Sequence, residues 1–188
     1  MKYFLNFILV ITICNTAFAI SSVIRSRTCE INRQPFPRVR DHPSSVLDTT
    51  SLNRPAFYKA MQGNNKELVN AQLTELKTLE PKNAQNAFLG TMTMKKAGLG
   101  GSPSAKLHLF KEGHKMLEAA IMEDPNNAEF RFLRLLIQEN APGILGYRNN
   151  EEKDCEIIRK SYKSLPPDLQ HVIADYSKKS KFLKLEVS

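Results

Sequence analysis

The chain has 188 residues, 41% of them apolar, and a formal net charge of +8. That length bounds it to one domain with appendages, and the apolar share is enough for a buried core. The charge is unevenly placed: residues 20–54 hold six Arg against three acids, residues 178–188 hold four Lys against one acid, and residues 55–177 hold sixteen basic and fifteen acidic side chains. A near-neutral body argues against nucleic-acid recognition, which needs a basic face on the folded surface.

Residues 1–19 read as a secretory signal peptide. Lys2 supplies the positive start, Phe4 to Ile13 is an apolar run, and Ala17-Phe18-Ala19 fits a small-x-small cleavage site with the cut before Ile20. The run is shorter than the roughly 20 residues a membrane-spanning helix needs. The expected compartment is therefore the periplasm or the extracellular space. Residues 20–54 have neither helical nor strand period. They carry Pro35, Pro37, Pro43 and dispersed arginines, the composition of a mobile leader.

The body, residues 55–177, is expected to be all-α, with about seven helices. Pro55 suits a first helical position, and Gly63 stops that helix after Gln62. Asn64 or Asn65 caps a second helix to Leu79, with Leu68, Val69, Leu73, Leu76 and Leu79 facing inward. A third helix covers about Asn83 to Ala97, with Ala84, Ala87, Phe88, Met92 and Met94 for burial. Gly98, Gly100, Gly101 and Pro103 form a loop. Ser102 or Ser104 caps a fourth helix with an apolar stripe of Leu107, Phe110, Leu117 and Ile121. Asp124-Pro125 ends it, and Asn126 or Asn127 caps a fifth helix whose apolar arc is wide enough to be covered on more than one side. Pro142, Gly143 and Gly146 then forbid a helix, and Ile144, Leu145 and Tyr147 are expected to fold back and bury. Asn149 or Asn150 caps a sixth helix with Cys155, Ile158 and Tyr162 on one stripe. Pro166 and Pro167 open a seventh with Leu169, Val172, Ile173 and Tyr176 inward. Residues 178–188 form a basic tail in which Lys178, Lys179, Lys181 and Lys184 surround apolar residues.

A shift of 44 residues lays Pro81-Lys82-Asn83-Ala84 over Pro125-Asn126-Asn127-Ala128 and Phe88-Leu89 over Phe132-Leu133. A helix, a proline turn and a capped helix are thus used twice, as expected where one helical hairpin cannot bury its own apolar face. Ala119-Ala120-Ile121 followed by Asp124-Pro125-Asn126-Asn127-Ala128-Glu129 resembles the junction between tetratricopeptide repeats. That resemblance implies antiparallel helix pairs stacked around a concave face that binds peptides or proteins. The period of 44 departs from the family's 34, and the chain has no Trp. Arg131-Phe132-Leu133-Arg134, Asn140-Ala141-Pro142 and Leu145-Gly146-Tyr147 together resemble a group of small exported bacterial helical proteins with no established activity.

Chemistry-bearing patterns are sparse. His108/Glu112, His114/Glu118 and His171/Asp175 are one-turn pairs without a third ligand, so no metal site is expected. Export permits a Cys29–Cys155 disulfide, but Cys29 sits in the leader and Cys155 on a packing stripe, so a free buried Cys155 is expected; neither has a neighbouring base for nucleophilic catalysis. No phosphate loop and no nucleophile elbow occur. The expectation is a protein that is not an enzyme and holds no cofactor. The polar stripe Arg131, Arg134 and Gln138 on an otherwise apolar helix, with Tyr147, is the candidate partner-binding groove. The competing reading pairs these arginines with acids of a neighbouring helix, for instance Glu151 or Asp154. The sequence therefore points to an exported protein–protein interaction module of the cell envelope, with an unidentified protein or peptide as partner, acidic ones among the candidates. The alternative is a protein bound to anionic lipid or polysaccharide through the Arg leader or the Lys tail.

Overall fold

The computed structural model describes residues 52–185. The expected signal peptide, residues 20–51 of the expected leader with Cys29, and the last three residues lie outside them. Within the described residues the protein is all-α: seven α-helices, three single 3₁₀ turns and no strand. The helices are α1 (Arg54–Gln62), α2 (Lys66–Glu75), α3 (Lys82–Gly98), α4 (Pro103–Glu123), α5 (Ala128–Asn140), α6 (Glu151–Ser161) and α7 (Pro167–Ser177).

Short polar side chains set most of the helix starts. Asn53 Oδ1 accepts from the Ala56 N–H at 3.1 Å, Asn65 Oδ1 from Leu68 at 2.9 Å, and Ser102 Oγ from Ala105 at 3.3 Å. Asn127 Oδ1 takes two otherwise unsatisfied donors, Glu129 and Phe130, both at 3.1 Å. Each such cap contributes about 1 kcal/mol. Asn150 occupies the corresponding position of α6 without a side-chain cap bond. The second helix is shorter than its apolar period suggested. It tightens into a 3₁₀ turn at Leu76–Thr78, and Leu68 is exposed while Val69, Leu76 and Leu79 are buried.

The centre of the molecule is α5, which is buried without a break from Ala128 to Gln138. Its apolar side chains meet several neighbours at once. Phe130 packs edge-on to Phe88 of α3, and Phe88 to Phe57 of α1. Phe132 lies between Tyr58 of α1 at 5.8 Å and Tyr176 of α7 at 5.5 Å. Such aromatic pairs add about 0.5–1.5 kcal/mol each beyond the area they bury. Leu133 and Leu135 are fully buried.

The closest helix approach is between α3 and α4. A Cβ built on Gly90 would lie 2.6 Å from the Gly113 carbonyl oxygen, and one on Gly113 would lie 2.3 Å from that of Gly90. The two glycines let the backbones touch, at a propensity cost of about 1 kcal/mol each. This contact joins the second helix of the first 44-residue unit to the first helix of the next.

The chain after α7 is part of the packed body. Glu139, near the end of α5, accepts from the Tyr176 hydroxyl at 2.5 Å, the Ser180 hydroxyl at 2.6 Å and the Lys181 and Phe182 N–H groups at 3.0 and 3.2 Å. Ser180 Oγ in turn accepts from the Leu183 N–H at 2.8 Å, and Leu183 is 0% exposed. The basic stretch expected as an appendage from residue 178 is therefore anchored at least through Leu183. Four backbone and hydroxyl donors converge on that one carboxylate, and bonds to an ionised acceptor are the stronger kind.

Candidate functional site

The stripe Arg131, Arg134 and Gln138 does not line an open groove. Arg131 and Arg134 are buried under α6, and Arg134 is only 4% exposed. Asp154 of α6, itself fully buried, accepts from Arg134 Nε at 2.7 Å and Nη2 at 2.6 Å, and from Arg131 Nη1 at 3.1 Å. Arg131 also donates from Nε and Nη2 to the Pro125 carbonyl at 2.9 and 2.6 Å, which ties the α4–α5 turn to the same cluster. Arg134 Nη1 reaches Glu118 of α4 at 2.8 Å, and the Tyr147 hydroxyl donates to the other Glu118 oxygen at 2.6 Å. Burial first, then the Glu118 carboxylate, pushes the Tyr147 hydroxyl far above its ordinary range, so it stays protonated as a donor.

The physical reason for this correction is the planar guanidinium fork. Arg134 meets the Asp154 carboxylate bidentately and Arg131, one turn away, adds a third bond to it, so the cluster satisfies itself without a partner. It joins α4, α5, α6 and the 141–150 connection. Gln138 completes the stripe at 0% exposure, with neither amide atom hydrogen-bonded.

A second buried cluster sits at the other end of α5. Glu129 accepts from Arg54 Nε at 2.9 Å, Arg54 Nη2 at 3.0 Å and the Tyr58 hydroxyl at 3.1 Å. Burial raises the Glu129 carboxyl above its ordinary value, against the pull of Arg54. Cys155 is a free, buried thiol, pushed up to about 11 chiefly by burial. A thiol so shifted is a poor nucleophile. His114 stands half-buried between Phe110 and Tyr147, 4.6 Å from the latter ring. Among the described residues no three His, Cys, Asp or Glu side chains converge as metal ligands. No described helix is long and apolar enough to cross a membrane.

An open concave surface lies elsewhere among the described residues. A groove of about 600 Å³ runs between the end of α3, the start of α4, the end of α5 and the 3₁₀ turn Gly143–Leu145. Its walls include Met94, Leu99, Leu107, Phe110, Ile137 and Leu145. Two departures from the sequence expectation create it. Ile144, expected to bury, is 95% exposed at the rim, and Leu107, expected in the α4 stripe, is 42% exposed. The α4 stripe is fully buried only at Leu117 and Ile121; Phe110 is partly buried and Leu107 is left open. The turn itself forms because Gly146 takes φ 64°, a left-handed conformation that glycine reaches without strain. Size and lining match the usual range of binding clefts, about 300–1,000 Å³ and mostly apolar.

The groove residues were within reach of sequence reasoning. Ile144 and Leu145 stood out as too apolar for a free loop, and the remaining question was what covers them. Gly90 and Gly113, each in the middle of a helical pattern, carried the usual signal of close packing. Compared with known protein-family models, curated proteins and solved structures, the chain gives no match to any of them.

Proposed function

We propose that the protein is an exported, non-catalytic interaction module of the cell envelope, and that its docking surface is the apolar groove between α4 and the 143–145 turn. The tetratricopeptide-like stacking of helix pairs belongs to the same proposal. The observation that carries it is the groove itself: large apolar side chains, Leu107 and Ile144 foremost, stand exposed around a concave surface in a fold that buries its other chemistry. Exposed apolar concavities of this kind are where partners bind. The signal peptide supports export, and the Arg131–Arg134 cluster supports a structural role for the former candidate residues.

Site-specific photo-crosslinking in cells tests this reading. A photoreactive residue placed at position 107 or 144 is expected to yield discrete protein adducts in the envelope fraction, from a chain cleaved after Ala19. The same residue at exposed Lys153 on α6 is expected to yield none. Equal adducts at all three positions, or none at the groove, would sink the proposal. Retention of Met1 on a cytoplasmic protein would remove the export half alone.

The lipid alternative places the tail lysines on an anionic surface. Lys178 donates to Asp175 at 2.7 Å, Lys179 lies over the Tyr176 ring, and Lys184 donates to the Ser180 carbonyl. No observation in the described residues favours it over the groove.

A further inference from the structure

The groove has a charge as well as a shape. Lys95 and Lys106 are part of its lining, and no Asp or Glu is. A smaller recess of about 200 Å³ shares Leu99 with it and is lined by Lys66 and Lys96, again with no carboxylate. None of these four lysines makes an ion pair within the described residues. The nearest approach to a partner is Lys95 Nζ to Asn64 Oδ1 at 3.5 Å, a neutral contact.

The sequence reinforces this. Residues 81–111 contain five lysines and no acid. Residues 55–177 carry sixteen basic and fifteen acidic side chains. Outside the 81–111 segment the body therefore has eleven basic groups against fifteen acidic ones. The neutral body is electrically divided, and its positive part spans α3 and the start of α4, the stretches that flank the groove. Lys95 and Lys96 sit in the last turn of α3, where the helix dipole favours them, but Lys106 has no such compensation. Burial pushes the Lys95 ammonium below its ordinary range with no carboxylate to offset it. A carboxylate arriving from outside would.

We propose that the groove's occupant is an acidic peptide segment of a partner protein, which inserts apolar side chains between α4 and the 143–145 turn and sets its carboxylates on Lys95 and Lys106. This rests on the interaction-module reading and adds the chemistry of the partner. A peptide fits better than a single-chain amphiphile, because the cations are distributed over two adjoining recesses. One headgroup would engage one pair, whereas successive side chains of a segment reach both. Fields focused in a low-dielectric cleft steer such a segment even where each exposed lysine contributes little by itself.

Selection of a phage-displayed random dodecapeptide library on the immobilised mature chain tests the chemistry directly. The expected consensus combines large apolar residues with flanking Asp or Glu. Binding of the selected peptide should weaken about tenfold or more in the double variant Lys95→Glu and Lys106→Glu, with thermal melting unchanged. It should be weakened by salt, and unaffected by Lys153→Glu with Lys160→Glu. A groove-dependent consensus without acids, lost in Leu107→Glu but not in the lysine variant, overturns the inference and leaves the interaction module standing. Recovery of no clone sensitive to Leu107→Glu overturns both. Saturable binding of dodecanoate that Leu107→Glu abolishes, with no peptide able to displace it, assigns the groove to an amphiphile and also overturns both.

Discussion

The α5–α6 seam and the α3–α4 end of the molecule handle their polar groups in opposite ways. At the seam, Arg131, Arg134, Asp154, Glu118 and Tyr147 use one another, and the carboxylate at the centre is completely buried. At the α3–α4 end, four lysines make no ion pair within the described residues, and Leu107 and Ile144 stand exposed. A sequence marks both regions as unusual, since arginines on an apolar helix and apolar residues in a loop both break the ordinary pattern. The difference teaches which anomaly points outward. Where the odd residues satisfy each other, they hold the fold; where they are left over, they are available to a partner.

The contrast can be broken most forcefully at Asp154. Asp154→Ala strands two buried guanidiniums, each keeping only its secondary acceptor. The expected loss is about 3–5 kcal/mol, as for other buried pairs deprived of one member. Urea unfolding measures it, and a loss under about 1 kcal/mol would mean that the cluster is more hydrated than its burial implies.

Gly90→Ala comes next. The new methyl meets the Gly113 carbonyl oxygen at 2.6 Å and the Met116 Cβ at 2.9 Å, so the backbones of α3 and α4 must separate. Overpacking of this kind costs about 1–3 kcal/mol. Because the same two helices form one side of the groove, this variant should also weaken partner binding, unlike Asp154→Ala assayed where it remains folded. A melting temperature equal to that of the wild type would show that the helices are less closely apposed.

Cys155 provides a pH test of the buried side. Its folded-state value, about 11, lies above the ordinary thiol value of 9.0. The native state therefore keeps a proton that the unfolded chain gives up, and this contribution to stability is present below pH 9 and lost as pH rises toward 11. Wild-type stability should fall across that window relative to Cys155→Ala. Parallel pH curves for the two proteins would refute the assignment.

The smallest expected effect is at the groove rim. Ile144→Ser removes a side chain that is 95% exposed, so stability should change by less than about 0.5 kcal/mol. Partner binding should nevertheless decline. A destabilisation above about 1.5 kcal/mol would place Ile144 in the core and erase the contrast between the two regions.

Much of the fold was legible in the residues. Proline and asparagine punctuation located the turns around Gly63, Asp124-Pro125 and Pro166-Pro167 to within a residue or two, because caps and donor loss act locally. Periodicity identified Phe88, Met92, Leu117, Ile158 and Ile173 as core, since a helix face has only one way to meet its neighbours. The candidate site was legible only as a set of anomalies. Whether Arg134 faced solvent or Asp154 depended on how α6 lies across α5, and the two residues are twenty positions apart. Local periodicity carries no information about that pairing.

The remaining features depended on tertiary structure for the same reason. Glu139 gathers donors from residues 176–182, which turns an apparent appendage into packed chain. Gly90 and Gly113 each signal a close approach, but that they approach each other is decided by how α3 lies on α4. Leu107 belongs to a regular apolar stripe, yet it stands exposed on the wall of the groove. Sequence by itself determined where helices begin, end and turn apolar, because those are decided within a few residues of backbone. Only the tertiary structure decided which apolar and charged faces found each other and which were left open, because that depends on the lengths and crossings of elements far apart in the chain.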